Sequence, residues 1–160
     1  IEMENLIYEK EDVLDKKICD EIIARFENDI NKKPGITGGG LNKNIKDTLD
    51  LIFSELNHWK DIDSYICNLI TNNYIEYIDE YKKLINDNEI NPLPIEMYDT
   101  GYQIQKYNQN EGKYIWHTDD DGVQSLRYLT FIIYLNTVDK GGETEFTFKQ
   151  IKPKCGKLLF

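Results

Sequence analysis

An imidazole and a carboxylate two residues apart hold the clearest chemistry in this sequence. They lie in Tyr114-Ile115-Trp116-His117-Thr118-Asp119. On an extended strand, residues i and i+2 project from the same face. His117 and Asp119 therefore offer one ring nitrogen and one carboxylate oxygen to a single cation. That is two-thirds of a 2-His-1-carboxylate facial triad, the set that leaves open positions on non-haem Fe(II). His-x-Asp also arises by chance, so the tripeptide alone carries little weight.

The elements around it fall into two halves. Ile18, Ile22, Ile23, Phe26 and Ile30 recur at three- and four-residue spacing and predict an amphipathic helix over 15–31. Pro34-Gly35 ends it, and Gly38-Gly39-Gly40 opens a mobile loop, either a flap over a substrate groove or a plain linker. A short helix is expected over 46–56. A longer one is expected over 62–85, with Ile62, Ile66, Leu69, Ile70, Tyr77, Tyr81 and Leu84 on one stripe, Asp61 as N-cap, and Asn91-Pro92-Leu93-Pro94 closing the half. After Met97 the period changes to two, predicting strands over 102–107, 113–117, 127–136, 143–148 and 157–160 with turn residues between them. Helices followed by a run of strands predict an α+β fold in which helices back a β-sandwich or barrel.

Composition removes other function classes. The 160 residues carry 19 Lys+Arg and 29 Asp+Glu, a net charge of −10, which argues against general nucleic-acid binding. A chain that is 40% hydrophobic and 12% aromatic builds a core and is not disordered. The longest apolar runs, such as 131–135, are far shorter than the roughly 20 residues of a membrane span. Cys19, Cys67 and Cys155 are odd in number and scattered, which fits buried thiols in an intracellular, cytoplasmic setting better than a disulfide framework or zinc site. The apolar, strand-like pattern at Lys157-Leu158-Leu159-Phe160 and the Ile1 start predict a piece of a longer polypeptide.

The surroundings of His117 extend the argument. Tyr107 precedes it by ten residues, and Tyr134 follows within Thr130-Phe131-Ile132-Ile133-Tyr134-Leu135-Asn136. Then come Gly141-Gly142-Glu143-Thr144 and Pro153-Lys154-Cys155-Gly156. This ordered set, over 102–160, resembles the Fe(II)/2-oxoglutarate-dependent dioxygenase superfamily, and specifically its prolyl-4-hydroxylase-like branch. Ile18-Cys19-Asp20-Glu21-Ile22-Ile23 is more loosely similar to the family's first helix.

The resemblance implies a double-stranded β-helix (jelly roll) with helices packed on one side. It divides a single domain over 1–160 into a helical support, about 1–96, and a β core, about 97–160, with C-terminal strands missing. It implies His117 and Asp119 as iron ligands, Tyr134 and Tyr107 at the cosubstrate, and Tyr114 and Arg127 toward the substrate. Tyr107 and Tyr114 also read as plain aromatic core, and Arg127 as a solvated charge. Strand parity adds that if Tyr134 faces the barrel interior, Leu129, Phe131, Ile133 and Leu135 face the helices.

The implied cofactors are Fe(II) and 2-oxoglutarate, with ascorbate as an additional candidate. The implied reaction is hydroxylation with O2, giving succinate and CO2, on proline in a peptide or protein. A small-molecule 2-oxoglutarate oxygenase and a non-catalytic jelly-roll binding module are the alternatives. No nucleic acid or membrane partner is expected. The family's pattern continues with a second histidine and a Lys or Arg beyond the position matching Phe160, so residues 1–160 are not expected to turn over alone. His58, the other histidine, reads as a packing or surface residue. Asp119-Asp120-Asp121-Gly122 lacks the spacing of a calcium loop, leaving Asp120 and Asp121 as a solvated turn.

Overall fold

In the computed structural model, residues 3–88, 97–119 and 127–160 are described. The 91–94 and 120–121 turns expected above lie outside them. The architecture is α+β: two long helices pack against short strands whose pairings are all antiparallel.

Helix α1 spans Lys16–Asn28, capped by Asp15, whose carboxylate accepts the Lys17 amide at 2.7 Å. Its buried face is Cys19, Ile22 and Phe26. The helix ends three residues earlier than its apolar period predicts, and Ile30 is 94% exposed. The cause is Asp29. It turns extended at the C-cap and sends its carboxylate inward to Trp59 Nε1 (2.7 Å) and His58 Nε2 (2.6 Å).

Helix α2, Lys60–Asn88, presents the expected stripe, with Ile62, Ile66 and Tyr77 buried. It starts before Asp61, so Asp61 is a first-turn residue and not the N-cap; its carboxylate takes both guanidinium nitrogens of Arg25, at 2.8 and 3.0 Å. Among the described residues no helix is long and apolar enough to cross a membrane.

The strands are β1 (Glu9–Lys10), β2 (Lys33–Pro34), β3 (Lys46–Asp47), β4 (Leu49–Leu51), β5 (Ile104–Lys106), β6 (Lys113–Tyr114), β7 (Ile132–Ile133), β8 (Thr144–Glu145), β9 (Gln150–Ile151) and β10 (Leu158–Leu159). They form sheets in the orders β1-β10-β7 and β2-β4-β5, and the pairs β3-β6 and β8-β9. Each is shorter than its alternating pattern, because ladder pairing covers only part of each extended run.

The 46–56 segment is extended, followed by a short 3-10 turn, and is not a helix. Its alternation explains why. Lys46, Thr48 and Asp50 fall on one face and Leu49 and Leu51 on the other, where Leu51 is 1% exposed. The Gly38–Gly40 segment closes as a tight hairpin, with Thr37 and Gly40 exchanging backbone bonds at 3.1 and 2.8 Å, and not as an open loop.

Sheet parity is as expected. Phe131, Ile133 and Leu135 pack on the helical core with Trp59, Ile62 and Ile66, and Leu129 joins the cluster of Tyr77, Leu158 and Phe160. Tyr134 and Ile132 consequently face away from the helices.

Gly156 is required where the turn before β10 crosses the start of α1. Its φ is +79° and a Cβ there would lie 2.3 Å from the Leu14 carbonyl oxygen. Gly156→Ala is expected to lower stability by roughly 1–3 kcal/mol from the backbone conformation alone, with the clash adding to it. Thermal unfolding reads the loss, and an unchanged midpoint would contradict the geometry.

Candidate functional site

Tyr114 closes β6 opposite Lys46 of β3. The chain then turns so that the Ile115 amide bonds the Ile45 carbonyl (3.0 Å) and the Ile115 carbonyl meets His117 Nδ1 at 2.8 Å. A carbonyl only accepts, so Nδ1 carries a proton, and in the neutral ring the lone pair lies on Nε2. That nitrogen faces Asp119 Oδ1 at 3.2 Å. A metal-binding histidine is commonly oriented this way, by its second ring nitrogen on a backbone carbonyl. The Tyr114 ring lies flat on the imidazole, centroids 3.5 Å apart and planes 14° from parallel. Arg127 donates to the Asp119 carbonyl at 3.1 Å. Both side chains, 36% and 40% exposed, are open to a ligand.

The pair therefore fits two adjacent positions on one cation. Among the described residues, no group of three His, Cys, Asp or Glu gathers. His58 is committed to Asp29.

Tyr107 follows β5 and lies near the same centre. The residue is 45% exposed, yet desolvation around its hydroxyl, with the charges of Asp50, Tyr114, Asp119 and Tyr134, pushes its phenol up to about 12. It is therefore a protonated donor at ordinary pH, and it donates to Gln105 Oε1 at 3.3 Å. Tyr134 extends from β7 on the face away from the helices, its hydroxyl 2.6 Å from Thr144 Oγ1; burial raises it too. Lys157 stands beside Tyr134 across the β7–β10 ladder, the Tyr134 amide bonding the Lys157 carbonyl at 3.0 Å. Its ammonium already meets Glu9 (3.1 Å) and Glu11 (3.3 Å), so it is neutralised within the protein.

Sequence reasoning missed a buried polar floor beside Tyr114. Lys46, 4% exposed, pairs with Asp50 at 2.7 Å and lies 5.3 Å from the Tyr114 ring centre. The period-two spacing of Lys46, Thr48 and Asp50 is the signal that could have found it, had the segment been read as a strand.

The structure thus gathers His117, Asp119, Tyr114 and Arg127 by direct contact, with Tyr107 and Tyr134 close enough for their charges to interact. Residues 102–160 match the model of the 2OG-Fe(II) oxygenase superfamily. No curated protein and no solved structure matches the chain. The matched segment contains all six of these residues and supports oxygenase chemistry that uses iron and 2-oxoglutarate.

Proposed function

We propose that the protein is an Fe(II)- and 2-oxoglutarate-dependent hydroxylase of the prolyl-4-hydroxylase-like branch, built on a double-stranded β-helix and acting on proline in a peptide or protein. The observation that carries the reading is the His117–Asp119 pair, 3.2 Å apart, with Nδ1 anchored and Nε2 turned to the carboxylate, inside the segment that matches the oxygenase superfamily.

Fe(II), with 2-oxoglutarate and O2, supplies the oxidising power to hydroxylate a C–H bond, releasing succinate and CO2. His117 Nε2 and Asp119 Oδ1 would hold it. Tyr114 fixes the imidazole plane and Arg127 fixes the Asp119 backbone, so the two donors keep their separation. Tyr134 would present a phenol donor to a cosubstrate carboxylate, and Tyr107 would do so by exchanging its Gln105 bond for that carboxylate; their raised pKa keeps those protons in place. The reading calls for a second histidine and a Lys or Arg from beyond residue 160, because His58 and Lys157 are committed elsewhere. The open, aromatic surroundings, with Trp116 62% and Tyr128 58% exposed, suit a chain-like substrate.

The polypeptide extended to include those residues is the material to assay, with and without ascorbate. Proline-containing peptides competing against free amino acids for 2-oxoglutarate turnover separate the peptide reading from a small-molecule oxygenase. An extended reading frame with neither a histidine nor a Lys or Arg would leave a binding module instead. Tyr134→Phe is expected to raise the apparent KM for 2-oxoglutarate, losing roughly 1–2 kcal/mol for one hydrogen bond to a charged group. An unchanged KM removes Tyr134 from the site.

A further inference from the structure

We propose that Cys155 and Cys19 are a thiol-exchange site, which takes a low-molecular-weight disulfide such as oxidised glutathione and closes to a Cys19–Cys155 disulfide. The proposal does not rest on the oxygenase reading, although the Gly156 amide bonds the Tyr134 carbonyl at 2.8 Å.

Two independent sets of contacts bring the residues together. The turn carrying Cys155 and Gly156 bonds to the start of α1, with the Val13 amide on the Gly156 carbonyl at 2.9 Å. On the other side, Cys19 directs its thiol to the Leu14 carbonyl at 3.9 Å, the same oxygen against which Gly156 abuts. Both cysteines pack in one apolar cluster. All three cysteines of the chain are free thiols. Cys67 is directed elsewhere, to Asp99 Oδ2 at 3.8 Å.

Access is asymmetric. Cys19 is 0% exposed, whereas Cys155 is partly exposed and lines an open cavity of about 650 Å³ with Val13, Leu14, Lys16, Tyr65 and Thr137. Cys155 is therefore the attacking sulfur and Cys19 the resolving one. Burial, and then the neighbouring Cys155 thiol, raise the Cys19 thiol well above the usual cysteine range. This keeps Cys19 protonated, and its burial shields it from direct attack on an external disulfide.

The chemistry balances in two exchanges. The Cys155 thiolate attacks one sulfur of the disulfide, forming a mixed disulfide and expelling one glutathione thiolate. Cys19 then loses its proton to solvent and attacks the Cys155 sulfur, expelling the second glutathione. Two protein thiols are oxidised by two electrons, and one glutathione disulfide is reduced to two glutathione molecules.

The test is oxidised glutathione added to the metal-free chain, read by thiol titration, intact mass and peptide mapping. The expected result is a fall from three thiols to one, no glutathione retained, and a linked Cys19–Cys155 peptide pair. Cys67→Ser should leave that pair unchanged, and Cys19→Ser should retain one glutathione on Cys155. The second exchange should quicken as pH rises, as a buried, protonated resolving thiol requires. A wild-type protein that retains glutathione on Cys155, or a linked pair that includes Cys67, overturns the proposal. Mapping the wild-type chain keeps the test decisive even if a variant fails to fold.

Discussion

Alanine at His117 or at Asp119 is expected to abolish succinate formation by the extended polypeptide, and with it the charge-transfer absorption that Fe(II) and 2-oxoglutarate give anaerobically. The two side chains are the only donors the described residues bring to this centre, and they meet at 3.2 Å. Loss of an outer hydrogen-bonding partner of a metal ligand typically costs about 10–100-fold in affinity. Removing a ligand itself should exceed that, so Fe(II) binding should weaken by more than about 100-fold in either variant. The absorption experiment does not depend on turnover and therefore separates lost metal from lost chemistry. Wild-type absorption in both variants would remove this pair from the iron site.

The second large effect concerns stability, at the opposite end of α1. Asp29→Ala is expected to destabilise the fold by roughly 3–4 kcal/mol, because it strands several donors at once. The Asp29 side chain is 3% exposed and accepts from Trp59 Nε1, from His58 Nε2, and from both the backbone and the amide of Asn31. Trp59 itself is 1% exposed, so its indole N–H has no water to turn to. Denaturant unfolding measures the loss, and a change below about 1 kcal/mol would contradict the network.

The same carboxylate sets an acid limb. Burial pushes Asp29 upward, but the hydrogen bonds from Trp59, Asn31 and His58 outweigh it and hold the group far below the usual carboxylate range. A depressed folded pKa gives stability that is whole above the unfolded value of 3.8 and is lost as pH falls below it. Asp61, lowered to about 2 by Arg25, contributes in the window between 3.8 and about 2, weakly because the pair is exposed. Stability should therefore fall steeply below about pH 4, and Asp29→Asn should flatten that slope.

Some of this was legible along the chain. The α2 stripe and the sidedness of 129–135 follow from periodicity, since burial of one face forces apolar residues to recur at the element's own period. The His-x-Asp spacing was legible because it is local, but β6 ends at Tyr114, so the turn after it, and not a shared strand face, brings the two side chains to 3.2 Å. Other features were not. Ile30 fits the period of α1, yet lies outside it because Asp29 bonds to residues 29 and 30 positions away. The 46–56 segment contains apolar residues spaced for a helix, but antiparallel partners at β2, β5 and β6 hold it extended. Local propensity is worth tenths of a kcal/mol per residue and yields to such pairing.

The sequence by itself determined which groups could bind a metal and which faces had to be buried, because both depend on residue type and on spacing within one element. Only the tertiary structure decided that Lys46 and Asp50 form the floor beside the Tyr114 ring, and that the Cys155–Gly156 turn bonds to the start of α1. Those contacts join elements tens of residues apart, and their geometry comes from how the sheets and helices close on one another, which no short window of sequence contains.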